Sequence, residues 1–460
     1  MPRGLGKLTA LRTLSIFSLG KKGSFVPKQK GGLGDLDGLD ELRGSLCITG
    51  LKHLRSSPLE ARAANLERKQ FLRILELRWL YHLEPDYLKD DSDDKANVND
   101  EQLLQNLRPH PNLKELMIKG YAGERFSDWA SSLSNLVKIT ISDCKWCQHI
   151  PPLDRFPFLK DLDLWNLSEL EYISNDACDV SSSSLRRLLL RRLPKLRGWW
   201  RMREAVTTEH EQNYNLPLFP SFPSLSSLII QECPIRSIMA DVAPGSQTTP
   251  SSSSLFSTLS KLKSLSLSVL EELEYLPEEW LQNLTSLEVL KIRECPKLQI
   301  SMSPLFQHLA ALEYLEIENC KELISNEDEE GAQCLGPTTL RHLQIKEVTN
   351  LVSLPKELRH ATALQLLNIE NCPSLVSLPE WIADLTSLRR LQIYECDNLI
   401  SLPEGMHCLT SLDHLTIASC PRLEERCKKE IGEDWPKIAH IPKFSNEWDQ
   451  AIFYISEYRD

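Results

Sequence analysis

The stretch from Leu340 to Arg426 decides the fold, because it repeats one pattern four times. It reads LRHLQIKEVTNLVSLP from Leu340, LQLLNIENCPSLVSLP from Leu364, LRRLQIYECDNLISLP from Leu388 and LDHLTIASCPRLEER from Leu412. Each line starts 24 residues after the previous one. Leucine or isoleucine recurs at the first, fourth and sixth positions, and a fixed period of this length indicates a repeat architecture.

The same frame, LxxLxLxxC, continues towards the N-terminus. Further copies start at residues 312, 287, 262, 225, 185, 159, 136, 113, 72 and 11, with a weaker copy at Arg43. Strand side chains alternate, so the fourth and sixth positions face one side and the third, fifth and seventh face the other. Stacked units bury leucines that one unit alone leaves exposed. The sequence therefore predicts an α/β leucine-rich-repeat solenoid of about fifteen irregular repeats, a curved horseshoe with a parallel β-sheet on its concave face.

Cysteine occupies the ninth position in seven units. We interpret these cysteines as structural, because a small buried thiol can donate a weak hydrogen bond where the chain leaves the strand. The alternative is zinc or redox chemistry, but Cys144-Lys-Trp-Cys147 is a lone CxxC pair whose cysteines fall on core positions. We therefore predict no metal and no cofactor. The seven cysteines are Cys144, Cys233, Cys295, Cys320, Cys372, Cys396 and Cys420.

Composition excludes several classes of function. The formal net charge of −11 disfavours nucleic-acid binding, which needs a basic face. No apolar run reaches the roughly 18 residues of a membrane span, and no signal peptide is evident. Asp161 and Asp163 alternate on a predicted strand as exposed charges rather than as an acid and a base, so we expect no enzyme. The cysteine pattern fits a reducing compartment, so we predict a cytoplasmic location, with the nucleus as an alternative.

Irregular spacing divides the chain into four predicted segments. Residues 1–110 hold irregular repeats and an acidic insertion, with a net charge of −6 over Glu84–Glu101. Residues 111–260 hold middle repeats with long insertions, including one after Trp200 and the serine-rich Gly245–Ser254. Residues 261–424 hold the regular repeats, and residues 425–460 form a C-terminal cap and tail. We expect the insertions to be loops or extra outer helices.

Several stretches resemble the leucine-rich-repeat region of plant coiled-coil nucleotide-binding leucine-rich-repeat (NLR) disease resistance proteins. They are PRGLGKLTALRTLSIF from Pro2, RGSLCITGLKHL from Arg43, NLKELMIKGYAGERFSDWASSLSNLVKITISDCKWCQHIPPL from Asn112 and ERCKKEIGEDWPKIAHIP from Glu425. Such receptors also carry a signalling coiled coil and a nucleotide-binding module, yet the phosphate-binding motif GxxxxGK followed by Ser or Thr is missing here. We therefore expect a fragment, a truncated product or a partial gene model of such a receptor.

The third, fifth and seventh positions of the late repeats are the candidate binding face. They mix charged, amide, aromatic and aliphatic groups, which suits recognition of a protein surface, with Tyr and Arg as anchors. The resemblance implies that late repeats meet a pathogen effector or a host protein. The candidate residues are Tyr314, Glu316, Glu318, His342, Gln344, Lys346, Asn368, Glu370, Arg390, Gln392 and Tyr394.

The resemblance also implies a role for the early repeats, which in this family rest against the nucleotide-binding module and hold it inactive. The run from Leu185 to Arg203 carries eight basic residues and no acid. Its Arg187 and Arg191 are candidate docking residues for that module. The run could instead pair with the acidic stretch of this same chain, and the sequence leaves the choice open.

The function expected from these features is a non-enzymatic protein-recognition module of plant defence. The alternative is an endogenous leucine-rich-repeat scaffold or the substrate-recognition subunit of a ligase, although no adaptor motif accompanies the repeats. An extracellular receptor is disfavoured, because the repeats read SLP rather than the Gly-Ile-Pro style of secreted plant arrays.

Overall fold

The computed structural model describes residues 4–20, 32–80, 96–174, 184–200, 222–234, 259–325 and 336–446. The chain forms two compact units, Met1–Leu259 and Ser260–Asp460. Most of the acidic insertion, the insertion after Trp200 and the serine-rich segment lie outside the described residues. No helix in the described part of the chain is long and apolar enough to cross a membrane.

The N-terminal unit is built on parallel strands, one per repeat. A separate pair of short parallel strands, β7 (Tyr172–Ser174) and β9 (Gly198–Trp200), lies outside that sheet. The sheet strands follow one another in chain order: β1 (Ile16–Ser18), β2 (Gly44–Thr49), β3 (Leu72–Arg78), β4 (Glu115–Lys119), β5 (Lys138–Ser142), β6 (Asp161–Trp165), β8 (Arg187–Arg191) and β10 (Ser227–Gln231).

The C-terminal unit repeats this arrangement, with fewer residues between most of its successive strands. Equivalent repeat positions stand side by side, so Leu366 aligns with Arg390 and Arg390 with His414. Two strands run past the ninth-position cysteine, with a register shift between Cys295 and Gln299. The strands are β11 (Ser264–Ser268), β12 (Val289–Ser301), β13 (Tyr314–Ile324), β14 (His342–Lys346), β15 (Leu366–Glu370), β16 (Arg390–Tyr394), β17 (His414–Ala418) and β18 (Lys443–Ser445).

Short helices return the chain from one strand to the next. The proline of each SLP motif stands directly before such a turn at Pro355, Pro379 and Pro403, where its fixed φ suits the entry into a helix. The α-helices are α1 (Val98–Asn106), α2 (Glu278–Asn283), α3 (Met302–His308), α4 (Pro421–Arg426) and α5 (Trp435–Ile438). The 3₁₀ helices are Leu5–Lys7, Leu33–Leu36, Leu51–Leu54, Pro58–Ala64, Leu66–Arg68, Asp128–Ser132, Leu153–Arg155, Lys356–His360, Glu380–Asp384 and Glu404–Cys408.

The core of each unit is the stack of leucines and isoleucines that the repeat predicts. Leu391 and Ile393, at the fourth and sixth positions, are fully buried, as are Leu367 and Ile369 one repeat earlier. Burying such a side chain contributes about 1.5–3 kcal/mol, and every repeat adds the same set. The predicted α/β leucine-rich-repeat solenoid with a parallel sheet is confirmed.

A left-handed residue occupies the eighth position of almost every repeat. In eight of these repeats its N–H donates to the seventh-position carbonyl of the next repeat, as Glu395 does to Ala418 at 3.1 Å. The turn redirects the chain so that the ninth side chain enters the core. Asn, Asp and Gly adopt this conformation at low cost, whereas a β-branched residue does not. The residues are Gly50, Gly120, Asp143, Asn166, Arg192, Glu232, Val269, Glu294, Asn319, Glu347, Asn371, Glu395 and Ser419.

The ninth-position cysteines are buried in the repeat core and bond to the backbone. All seven are buried free thiols, and each donates to the carbonyl two residues earlier, as Cys396 does to Tyr394 at 3.3 Å. Burial raises the pKa of Cys144 to about 12, and Cys147 of the CxxC pair donates to the His149 carbonyl. Within the described ranges, no group of three or more His, Cys, Asp or Glu side chains could hold a metal ion.

Candidate functional site

The candidate face of the C-terminal unit consists of three rows of side chains, here called the sheet face. The third-position row is half-buried and runs across six strands. Within three neighbouring repeats this row holds the aromatic ring of His342, the aliphatic Leu366 and the cationic Arg390. Because strand register aligns these positions, each residue stands beside its counterpart in the next repeat. The row is Val289, Tyr314, His342, Leu366, Arg390 and His414.

The fifth-position row is mostly buried, which the sequence did not indicate. Glu316, Asn368 and Gln392 are 3%, 5% and 6% exposed, and only Gln344 of the predicted four is half-buried. Side chains in this middle row have neighbours on both sides within the sheet. They therefore serve as a supporting layer between the outer two rows.

An ion-pair cluster fixes one end of this layer. Arg293 donates to both carboxylate oxygens of Glu316 at 2.8 and 2.9 Å, and the Tyr314 hydroxyl donates to Glu316 at 3.0 Å. Glu318 lies 3.6 Å from Arg293. Although burial alone would lower the pKa of Arg293, the bonds with Glu316 raise it. The Glu316 charge is thus neutralised within the unit, and the cluster holds Tyr314 in place.

Several side chains of the seventh-position row are also engaged in contacts within the unit. Lys346 and Glu370 form an ion pair at 3.5 Å, and burial raises the pKa of Glu318 against the opposing effect of Lys346. Tyr394 is 1% exposed, and its hydroxyl accepts a hydrogen bond from Gln392 at 3.2 Å. Tyr394 therefore packs within the protein instead of standing out as an anchor.

Arg390 and Asn368 have polar atoms without a partner among the residues that the structure describes. The Arg390 side chain makes no hydrogen bond or ion pair with any described residue, and it stands between Leu366 and His414 in register. The buried Asn368 Oδ1 likewise has no hydrogen-bond partner within the described ranges. Leaving such a buried acceptor unpaired costs about 1–3 kcal/mol. Arg390 is half-buried, so its guanidinium can meet an incoming acceptor, whereas the Asn368 Oδ1 is enclosed in the middle row.

The two docking candidates of the N-terminal unit differ in their surroundings. Arg187 lies 3.2 Å from Asp161 and 3.6 Å from Asp163 on the neighbouring strand. Arg191 makes no ion pair with any residue that the structure describes, and its buried Nε has no hydrogen-bond partner there. The other described basic residues of the run with partners are Arg192 with Glu232, Lys195 with Glu169 and Arg197 with Glu171. Nearby acids thus compensate much of the run, whereas residues 84–95 of the acidic stretch lie outside the described part.

An apolar pair beside Arg191 went unnoticed in the sequence. Leu189 and Ile229 are fifth-position residues that stand side by side in register, both half-buried. Trp165 aligns with Arg191, and the Lys119 ammonium lies 5.3 Å from the Trp165 ring centroid. The available signal was the apolar residue at the fifth position of both repeats, where most other units carry polar groups.

Family models of leucine-rich repeats match most of the chain. The R13L1/DRL21 leucine-rich repeats match residues 33–167. The leucine-rich repeats of the plant disease resistance protein RPS2-like family match residues 210–321 and 276–421. The chain has leucine-rich repeats of the plant disease resistance type.

Relatives of this chain are named as disease resistance proteins. Two proteins of Solanum bulbocastanum named as disease resistance proteins, RGA4 and RGA2, are 33% and 31% identical over 298 and 299 residues. These alignments cover 62% and 64% of this chain, but only 27% and 26% of the relatives. The chain thus spans about a quarter of the length of these relatives.

Two solved structures are distantly similar to this chain. An internalin from Listeria monocytogenes is 17% identical with a TM-score of 0.42, covering 73% of this chain and 87% of the internalin. The plant peptide hormone receptor RGFR1, solved with RGF2, is 17% identical with a TM-score of 0.44, covering 91% of this chain and 66% of the receptor. The fold assignment rests on the repeats and the parallel strands rather than on these likenesses.

Proposed function

We propose that this disease-resistance repeat region is the non-enzymatic recognition module of a plant intracellular immune receptor. It binds a pathogen effector, or a host protein that the effector modifies, through the third-position row of the C-terminal unit. The observation that carries the proposal is Arg390, a half-buried guanidinium without a partner in the described part of the chain, aligned with the aliphatic Leu366. Arginine beside apolar surface is typical of the residues that dominate binding energy at protein interfaces.

The supporting layer strengthens this proposal. Tyr314 is held by Glu316, so it loses little rotamer freedom on binding and presents a rigid aromatic ring. Its ring lies 6.2 Å from that of His342, which makes the two a joint platform. A partner that places a carboxylate on Arg390 would give the guanidinium charged hydrogen bonds.

The N-terminal unit has a second proposed role, an autoinhibitory contact with a nucleotide-binding module. Arg191, Trp165 and the Leu189–Ile229 pair form a surface with apolar neighbours and a positive charge that has no ion-pair partner among the described residues. Arg191 is the stronger candidate than Arg187, because Asp161 and Asp163 already neutralise Arg187.

A charge-reversal pair tests the recognition proposal. Arg390→Glu changes the sheet face, whereas Arg389→Glu makes the same change at the adjacent exposed second position. With the whole chain as bait in extracts of infected and uninfected plant tissue, we expect a partner from infected tissue that Arg390→Glu reduces by about 30-fold or more, the loss typical of a hot-spot residue. The Arg389→Glu chain should retain it.

Three outcomes would contradict the proposal. One is equal loss in both variants, and another is retention in Arg390→Glu and in Tyr314→Ala. The third is recovery of the same partner in equal amount from uninfected tissue, which would favour an endogenous scaffold. Thermal unfolding of both variants distinguishes lost binding from lost folding.

A further inference from the structure

A pocket of about 380 Å³ lies in the N-terminal unit. Its walls come from two consecutive repeats, through Arg125 and Phe126 on one and His149 and Ile150 on the other. The volume falls within the roughly 300–1,000 Å³ that ligand pockets occupy. Neither the recognition proposal nor the docking proposal uses these residues.

Two cation-forming side chains stand together on its wall. The backbones of Arg125 and His149 pair as a parallel bridge, so their side chains leave the same side of adjacent strands, about 4.8 Å apart. Neither side chain has a hydrogen-bond or ion-pair partner within the described ranges. The guanidinium and the imidazole are therefore both available to an anion.

The wall around Arg125 is rigid before any ligand arrives. The buried Tyr121 hydroxyl donates to the Arg125 carbonyl, and the Arg125 N–H donates to Glu101 at 3.2 Å. The Tyr121 ring lies 5.5 Å from the ring of Phe126 and holds it beside the pocket. The C=O and the N–H of Arg125 both make hydrogen bonds, so its backbone is already ordered. Less conformational entropy is therefore lost when its side chain binds a ligand.

We propose that this pocket binds a carboxylate attached to an apolar body. The carboxylate meets Arg125 and His149, in the planar geometry that guanidinium groups favour. The apolar body packs on Phe126 and Ile150. Asp128 is the one acid among the residues that line the pocket, and its negative charge opposes the bound anion.

Paired probes test the proposal on the whole chain by ligand-observed NMR titration. N-acetylphenylalanine represents a peptide C-terminus and benzoate represents a small free acid. Their uncharged counterparts are N-acetylphenylalanine amide and benzamide. We expect at least one acid to bind about tenfold or more tightly than its amide, and the tighter acid identifies the source of the carboxylate.

Variants assign the binding to the pocket. Arg125→Gln should weaken the acid by about tenfold or more, and His149→Gln should weaken it to a smaller extent. Asp128→Asn should tighten it by a few-fold, which a merely damaged pocket would not do. Arg186→Gln, at an exposed arginine on another repeat, is the matched control and should change nothing.

Either of two results would overturn the proposal. The first is that neither acid binds better than its amide. The second is that Arg125→Gln weakens the acid no more than the Arg186→Gln control does. Neither result depends on the immune partner, so the recognition proposal stands or falls separately.

Discussion

Val269 occupies a backbone position that its side chain disfavours, and replacing it should stabilise the C-terminal unit. Its φ is +54°, in the left-handed region that β-branched residues rarely adopt. The N–H of Val269 donates to the Arg293 carbonyl at 3.0 Å, which fixes the conformation. Asn371 occupies the same repeat position at φ +48° with the same type of bond. Val269→Asn therefore keeps the hydrogen bond and removes the strain.

The expected gain comes from relief of the disfavoured backbone conformation at Val269. The left-handed conformation costs an ordinary side chain about 1–2 kcal/mol, and Asn avoids part of that cost. Val269 is half-buried, so the loss of its methyl groups offsets some of the gain. We expect a net increase of about 1 kcal/mol in the free energy of unfolding. For a unit the size of Ser260–Asp460, this corresponds to a rise of about 2–4 °C in Tm.

Thermal and urea unfolding of the whole chain measure this change. Asn371→Val, the reverse substitution, should lower the Tm by a similar amount. Val352→Asn is the control, because this exposed valine has no left-handed backbone and should shift stability by no more than about 0.5 kcal/mol. A Val269→Asn chain no more stable than the parent, or an Asn371→Val chain equally stable, would refute the reasoning.

Three further predictions address docking, the C-terminal cap and the thiols. Arg191→Glu should weaken binding to a supplied nucleotide-binding module more than Arg187→Glu does, as surface plasmon resonance would measure. Asp434→Asn should lower the free energy of unfolding by about 2–3 kcal/mol, because the buried carboxylate accepts charged hydrogen bonds from Arg426 and Lys437. Native thiol labelling followed by peptide mass spectrometry should modify exposed Cys408 well before any buried cysteine in the described part of the chain.

The Asp434 prediction includes a pH dependence. Burial raises the pKa of Asp434, but hydrogen bonds from Arg426, the Leu402 N–H and Lys437 outweigh it and lower the pKa overall. A lowered folded-state pKa means that the carboxylate stabilises the fold above the unfolded value of about 3.9 and loses that effect as the pH falls further. Urea unfolding should therefore show a constant difference between the parent and Asp434→Asn from pH 7 to about 4, which shrinks below pH 4.

Each of these predictions has a contradicting result. Equal losses for the two arginine variants would show that Asp161 and Asp163 do not neutralise Arg187. A stability difference for Asp434→Asn that persists unchanged below pH 3 would rule out the charged form as its source. Labelling of Cys396 as fast as Cys408 would contradict the burial of the ninth-position thiols.

Periodicity predicted the core and the cysteines because both depend on local spacing. Leu391, Ile393 and Cys396 take their roles from a repeat of fixed length, and each recurs with the same neighbours. The left-handed eighth position was hidden because several repeats place glutamate there, for example Glu347 and Glu395. Glutamate has no marked preference for this conformation, so composition gave no signal.

Burial within the sheet face was not predictable from alternation alone. Alternation places Glu316 and Asn368 on the same side as Tyr314, but it does not say how closely neighbouring rows pack. Asp100 is a similar case, since it belongs to an acidic run in the sequence. In the structure it is fully buried against Arg55, which donates to it twice at 2.8 Å. Contacts between residues 45 positions apart do not follow from a repeat pattern.

The most direct measurement of the central claim is site-specific photo-crosslinking to the partner recovered from infected tissue. A benzophenone side chain is placed at Leu366, in the third-position row, or at Val376, an exposed residue of the same repeat outside the sheet face. The account predicts a crosslink to the partner from position 366 and none from position 376. A crosslink from position 376 with none from position 366 would contradict it.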